Sequence, residues 1–575
     1  MNPRARSRGP RRTIVVVGSA VAVVGVVAVV ALVLAPLLVL VGRAMGLPGP
    51  PTVAALAAIT DNQNLQALRQ TMLIAFGSAV VAGSVGVPVA VLVERTNLWG
   101  KGLLGALFAM PLAIPPYLLA FAWRAAWDDR IGLWAWPSRV FGDVDSAAGI
   151  ALVLGTAFLP VVLLRVRATL KGIDGALEEA ARTAGAGPIR ALVDVTLPLV
   201  VPSALSSVVL VWVAGAAAYG VPVLLGLAAD PPVVVVTARI AVALQGGNAA
   251  ALTDALGLSV ALAGLAGVAF ALPALLTRGA ATVTGKAHRP TELELGRARG
   301  PLSVLSWVGV LAMVVLPLGA LVLQGLMLRA GSGLSVANVG VRHVIEVLSR
   351  SQVREAAAAS AVLAVGAAIV IVVIAVVVVV ARRRATGLTA RGLRLVSGLM
   401  EVAYALPGTI VAVALVLTFA TELRLIVLER VTLVVALGGT TALLLIAYAV
   451  KHAALGFRAV DEALDQLHPS LEEAARVAGA GPVRAFVDVT LPLLQAHLTA
   501  TAVAVALPCF TELTMSVLLQ APGTSTLGVV LFALYDYGDP QEAMALAAVL
   551  VTVALLAQAA MLGLRRHGAQ ASRAK

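Results

Sequence analysis

Residues 14–41 contain no ionisable side chain. About 20 consecutive apolar residues are enough for a helix to cross the hydrocarbon of a bilayer. Eleven further apolar runs follow, near 69–93, 103–127, 147–164, 199–226, 251–277, 302–328, 354–381, 395–420, 431–450, 494–520 and 543–564. Hydrocarbon offers the backbone no hydrogen-bond partners, so each run has to pair its own N–H and C=O groups as a helix. The expectation is an all-α polytopic membrane protein with about twelve transmembrane helices. Composition agrees: 12% of residues are charged, against about 25% in a soluble domain, and the mean hydropathy is +0.98.

Charge sets the expected orientation. Arg4, Arg6, Arg8, Arg11 and Arg12 precede the first run, which is too long for a signal-peptide core and is read as a retained first helix. With the N-terminus inside, the inside segments carry 30 of the 42 Lys and Arg residues. Basic residues favour the cytoplasmic side, so both termini are expected there. Arg329, Arg342, Arg350 and Arg354 fit this topology less well, because they fall outside. The net charge of +13 suits nucleic acid in principle, but these cations sit at the ends of apolar runs, where topology accounts for them. No nucleic-acid partner is expected, and the apolar runs make membrane lipid the surrounding medium.

One polar segment occurs twice. Residues 177–200 read LEEAARTAGAGPIRALVDVTLPLV and residues 471–494 read LEEAARVAGAGPVRAFVDVTLPLL, with 20 of 24 positions identical at an offset of 294. Residues 113–120 (AIPPYLLA) are echoed by 405–412 (ALPGTIVA). The chain therefore divides into a first repeat, 1–277, a polar cytoplasmic linker, 278–300, and a second repeat, 301–575. Six helices are an even number, so both repeats enter from one side and are parallel.

Within each copy the pattern predicts a helix, a break and a second short helix. Ser470, with Glu473 three residues on, has the spacing of a capping box; Asp174 is the cap candidate of the first copy. Glu178, Glu179, Glu472 and Glu473 fall in first turns, where the helix dipole favours carboxylates. Gly185-Ala186-Gly187-Pro188 and Gly479 to Pro482 break the helix, and Pro198 and Pro492 mark entry into the next span. The face Leu177, Ala180, Ala181, Ala184 is mostly methyl groups, which allow another protein's backbone to come close. A polar loop kept twice in a duplicated chain points to a docking surface made twice.

These segments resemble the EAA loop of binding-protein-dependent ABC importer permeases. Glu179-Ala180-Ala181, Gly185, Val195 and Leu197-Pro198 fit that pattern, as do Glu473-Ala474-Ala475, Gly479, Val489 and Leu491-Pro492; Val stands where the family often has Ile. The resemblance implies a fused permease of the type I importer kind, in a bacterial plasma (inner) membrane. It implies that Glu178, Glu179, Ala180, Ala181, Gly185 and their counterparts Glu472, Glu473, Ala474, Ala475, Gly479 contact an ATPase. It also implies two ATPase copies and an external substrate-binding protein as partners. Residues 111–123 and 511–528 look like stretches of ferric-iron importer permeases, which makes iron(III) the first expectation for cargo. Thiamine, polyamine or phosphonate import is the alternative, with a gradient-driven secondary transporter behind it.

None of the five lysines (Lys101, Lys171, Lys286, Lys451, Lys575) lies in a G-x-x-x-x-G-K-[ST] loop. No ATPase site and no cofactor are therefore expected in the chain, and a transport subunit, not an enzyme, is the reading. The six histidines are scattered, Cys509 is the only cysteine, and no metal site is expected. Glu512 lies inside the eleventh apolar run, where an ionisable group is expensive and often lines a pathway. A structural role at the Pro508 break is its equal alternative. Tyr117 and Tyr404 flank the paired proline motifs as further pathway candidates, with packing the more ordinary role.

Overall fold

The computed structural model describes residues 32–48, 52–127, 143–246, 248–276, 292–329, 332, 335–385, 387–419, 423–427, 431–435 and 437–573. The principal helices are α1 (Leu32–Ala44), α2 (Asn62–Arg95), α3 (Lys101–Ala113), α4 (Pro116–Trp127), α5 (Ala147–Gly172), α6 (Gly175–Thr183), α7 (Pro188–Ala216), α8 (Ala249–Leu276) and α9 (Gly296–Leu326). The second half continues with α10 (Ser351–Arg384), α11 (Thr389–Ala405), α12 (Gly408–Phe419), α13 (Thr441–Asp465), α14 (Ser470–Val477), α15 (Pro482–Phe510), α16 (Thr514–Leu518), α17 (Leu527–Tyr537) and α18 (Pro540–Ala560).

Among the described residues, nine helices are long and apolar enough to cross a membrane, and two bent pairs raise the total to eleven. The pairs are α3 with α4 and α11 with α12, each bent by 112°. They fall on the duplicated proline motifs, so the repeat extends to the geometry of the break. Of the first expected span, residues 14–31 lie outside the described residues and α1 is the remainder. Residues 278–291 of the expected linker lie outside them too.

The tenth expected span, 431–450, is corrected. Residues Leu423–Val427 and Val431–Val435 form a two-stranded antiparallel sheet with Leu425 opposite Leu433. The helix starts only at Thr441, capped by the Thr440 hydroxyl, which accepts from the Leu443 N–H. A short run rich in Val, Leu and Thr satisfies strand and helix patterns alike, and hydropathy cannot separate them.

The chain forms two compact units. One comprises residues 1–51, 354–529 and 556–575; the other comprises 52–353 and 530–555. The units cut across the two sequence repeats: residues 301–353 group with most of the first repeat, and 1–51 with most of the second. Repetition in the sequence thus marks duplicated segments, while packing assigns the outer elements of each repeat to the other repeat's unit.

Small residues set the helix contacts. A Cβ on Gly155 of α5 would lie 2.5 Å from the Val81 Cβ of α2, and one on Gly215 of α7 would lie 2.5 Å from the Ser78 Oγ. In the other unit, a Cβ on Gly456 of α13 would lie 2.4 Å from Ile371 Cγ2 of α10. Without water inside the bilayer, close backbone approach is the main source of helix–helix attraction. Outward surfaces are apolar in turn: Val362, Val365, Ile369 and Val373 form an exposed stripe along α10, suited to hydrocarbon.

Candidate functional site

The duplicated polar segments fold alike. The Asp174 carboxylate accepts from the Ala176 N–H at 3.0 Å and caps α6. The second copy starts differently. Pro469 already has helical φ and ψ, so Ser470 lies inside α14 and its hydroxyl pairs with His468 Nδ1 at 2.8 Å. The capping box expected from Ser470 and Glu473 is not formed, because an N-cap needs an extended backbone.

Both helices end in the same way. Gly185 and Gly479 have φ of +94° and +93°. The Ala186 N–H donates to the Ala181 carbonyl at 3.0 Å and Gly185 N–H to Arg182; Ala480 donates to Ala475 and Gly479 to Arg476. This is the Schellman geometry, which needs a left-handed residue that glycine adopts without strain. A Cβ at either glycine would meet nothing within 4 Å, so backbone conformation alone accounts for the residue.

Pro188 and Pro482 then open α7 and α15. The second helix is not short. Each continues through one π-helical turn, Leu192–Thr196 or Phe486–Thr490, into a 29-residue span. Entry into the span is therefore at Pro188 and Pro482, ten residues before Pro198 and Pro492. Pro198 and Pro492 therefore lie inside their spans, each directly after the π-helical turn, where the α-helical hydrogen-bond pattern is already interrupted.

The candidate docking residues divide between two faces. Glu179, Ala180 and Gly185 are exposed, as are Glu473, Ala474 and Gly479; Ala181 and Ala475 are half-buried. Beside them Ile189, Val193, Val477, Val483 and Val487 are exposed. Arg190 pairs with Asp194, and Arg484 with Asp488, each at 3.2 Å. Each copy therefore presents carboxylate, methyl and aliphatic groups beside an ion pair in the same order.

Glu178 and Glu472 turn the other way. Glu178 is buried, accepts a hydrogen bond from the Thr196 hydroxyl and lies 3.6 Å from the Arg95 guanidinium at the end of α2. Glu472 bonds Arg384, at the end of α10, at 2.6 Å. Arg384 also lies over the Phe486 ring at 5.8 Å. Each of the two polar loop helices, α6 and α14, is thus tethered to the end of its own half's long helix. The first tether is buried, with side-chain exposures of 1% and 10%; the second is open, at 41% and 28%.

A second duplicated contact has reversed polarity. Arg167 of α5 pairs with Glu94 of α2 at 2.5 Å. At the 294-offset position, Asp461 of α13 pairs with Arg382 at 2.6 Å and Arg383 at 2.7 Å.

The pathway candidates lie elsewhere. Tyr117 is buried, its ring edge-on to Phe532 at 6.5 Å. The Glu512 carboxylate accepts the Met515 N–H at 2.9 Å and the Ser516 N–H at 3.0 Å, so it caps α16. Tyr404 is partly exposed, with Lys451 and Arg458 each 5.6 Å from its ring centre. Arg95, Thr196, Arg384 and Lys451 were not selected from sequence. Arg384 closes the run Arg382-Arg383-Arg384, whose position at the end of an apolar stretch is the signal that marks it.

Two sets of helices, each with a tethered polar loop opening into a span, define a duplicated polytopic membrane component. The chain belongs to the family of binding-protein-dependent transport system inner membrane components, whose pattern it matches at residues 86–281 and again at 385–567. It is 26% identical over 162 residues to the molybdate/tungstate transport system permease protein of Pyrococcus abyssi, covering 28% of this chain and 60% of that one. It is 31% identical over 150 residues to the molybdenum transport system permease protein of Haemophilus influenzae, covering 25% and 65%. A candidate 2-aminoethylphosphonate transport system permease protein of Salmonella paratyphi A matches at 35% over 121 residues, covering 21% and 45%. In each case the match spans less than two thirds of the curated relative.

Proposed function

We propose that this chain is the membrane-spanning subunit of an ABC importer, with two docking loops for two copies of a separate ATPase and an outer face for a substrate-binding protein. The observation that carries the reading is the repeated exposed surface of α6 and α14, from Glu179-Ala180 and Glu473-Ala474 to Val193 and Val487. ATP-driven closure of the two ATPases moves the docking helices, and these bias the spans between an outward-open and an inward-open state. Such a cycle needs only that each partner binds one state better than the other. The orientation proposed places both loops and both termini in the cytoplasm, at a bacterial inner membrane.

For cargo we favour a small tetrahedral oxyanion. The relatives' names carry molybdate, tungstate and 2-aminoethylphosphonate, which share that oxo-anionic geometry. Iron(III) was the first expectation from sequence. It keeps only the likeness of residues 111–123 and 511–528, and none of the relatives described above carries an iron name. Uptake of labelled molybdate, 2-aminoethylphosphonate and iron-55 by cells with and without the gene separates these readings. Loss of iron uptake alone would restore iron(III).

A further inference from the structure

The two bent spans share an angle but not a construction. In the first half the break is Ile114-Pro115-Pro116, where two successive prolines fix φ. In the second it is Leu406-Pro407-Gly408, and the glycine restores the freedom the proline removes. That break is held from outside. The Lys451 ammonium of α13 donates to the Tyr404 carbonyl at 2.8 Å and to the Leu406 carbonyl. These are carbonyls at the end of α11 that a broken helix leaves without intrahelical partners. At the 294-offset position, the first half has Ala157.

The far side of the break is held by the same helix. Gly408, which opens α12, lies against Met515 and Thr514 of α16. The Tyr448 hydroxyl of α13 shares a 2.6 Å hydrogen bond with Ser516 of α16, and Glu512 caps α16. Glu512 is also within electrostatic reach of Lys451. Tyr448, Lys451 and Arg458 share one face of α13, and Arg458 binds Glu401 of α11, with Nε–Oε1 at 2.7 Å. One helix therefore grips both arms of the break.

That helix is also bound to the docking loop. Asp461 and Asp465, at its end, are held by Arg382 and Arg383, and the next arginine, Arg384, holds Glu472 of α14. Four residues separate α13 from α14.

We propose that Lys451 is a positioning residue for transport: it transmits movement of the second docking helix to the break between α11 and α12, making that break the adjustable one of the two. The proposal rests on the importer reading. It predicts that the angle at Pro407-Gly408 changes with nucleotide state only while a cation at position 451 holds the α11 carbonyls.

The test uses the chain purified with its ATPase in lipid nanodiscs, with Cys509→Ala and spin labels on cysteines at Leu395 of α11 and Leu417 of α12. Distances are read without nucleotide and after trapping with ATP and vanadate. The unsubstituted position should show a shift between the two states, Lys451→Arg should retain it, and Lys451→Met should lose it while still eluting with the ATPase. If Lys451→Met does not fold, Lys451→Gln serves; its amide keeps N–H donors without charge and should also lose the shift. A wild-type shift in the Met or Gln variant, or no shift with Lys451 in place, overturns the proposal. Failure of any ATPase to elute with the wild-type chain overturns the importer reading instead.

Discussion

Glu178→Gln and Glu472→Gln remove the equivalent carboxylate from α6 and α14 and should have very different effects. Arg95 is almost wholly buried, and Glu178 is the carboxylate that pairs with it. Glutamine keeps an acceptor for the Thr196 hydroxyl, so the substitution isolates the charge. Removing one partner of a buried pair leaves an uncompensated ion and costs about 3–5 kcal/mol. At Glu472 both partners are partly in solvent, and an exposed pair is worth about 0–1 kcal/mol. At roughly 2–4 °C per kcal/mol for a domain of 150–250 residues, the first variant should lose at least about 6 °C of apparent melting temperature. The second should shift by no more than about 4 °C on the same scale.

The assay heats the detergent-purified chain and follows the surviving monodisperse fraction by size exclusion. Arg95→Met combined with Glu178→Gln removes both charges and should recover much of the loss, because the penalty belongs to the unpaired guanidinium. Equal shifts for the two single variants, or no recovery in the double variant, would refute the reasoning.

Other outcomes follow from the same geometry. Gly185→Ala and Gly479→Ala force a side chain into the left-handed region with no clash, so each should cost about 1–2 kcal/mol of local helix-end stability, read as faster amide exchange across α6 or α14. Gly155→Val places atoms against Val81 at under van der Waals distance and should lower the yield of folded chain, whereas Gly264→Ala, which meets nothing within 4 Å, should not. Asp461→Arg adds a fourth cation beside Arg382, Arg383 and Arg384 at the end of α10 and should impair folding; adding Arg382→Glu should recover part of the loss by rebuilding the polarity of the Arg167–Glu94 contact while Arg383 keeps its pair with Asp465. Glu179→Lys and Glu473→Lys change exposed carboxylates and should weaken ATPase association while leaving insertion intact, measured by co-elution.

Most of the helices could be read from the sequence because the bilayer imposes a length and a polarity on each span. The duplicated polar loops could be read because their glycines, prolines and carboxylates recur at fixed spacing. What escaped was tertiary. Nothing local distinguishes Glu178 from Glu179, yet one faces Arg95, 83 positions away in the chain, and the other faces solvent. Ser470 had the spacing of a cap, but Pro469 had already committed the backbone to a helix. The strand pair Leu423–Val427 and Val431–Val435 was hidden by apolar content, which strand and helix share. In the sequence Lys451 is one basic residue among those at the ends of apolar runs, and only the break at Pro407 shows what its ammonium binds.

The central claim is that one chain carries two equivalent ATPase-docking surfaces. A photo-crosslinking amino acid placed at Ala180 in one preparation and at Ala474 in another, in the native membrane, tests it directly. Both positions should trap the same ATP-binding polypeptide, and native mass spectrometry of the intact complex should give two of its copies per chain. Capture at one position alone, or of no ATP-binding protein at either, would contradict the account.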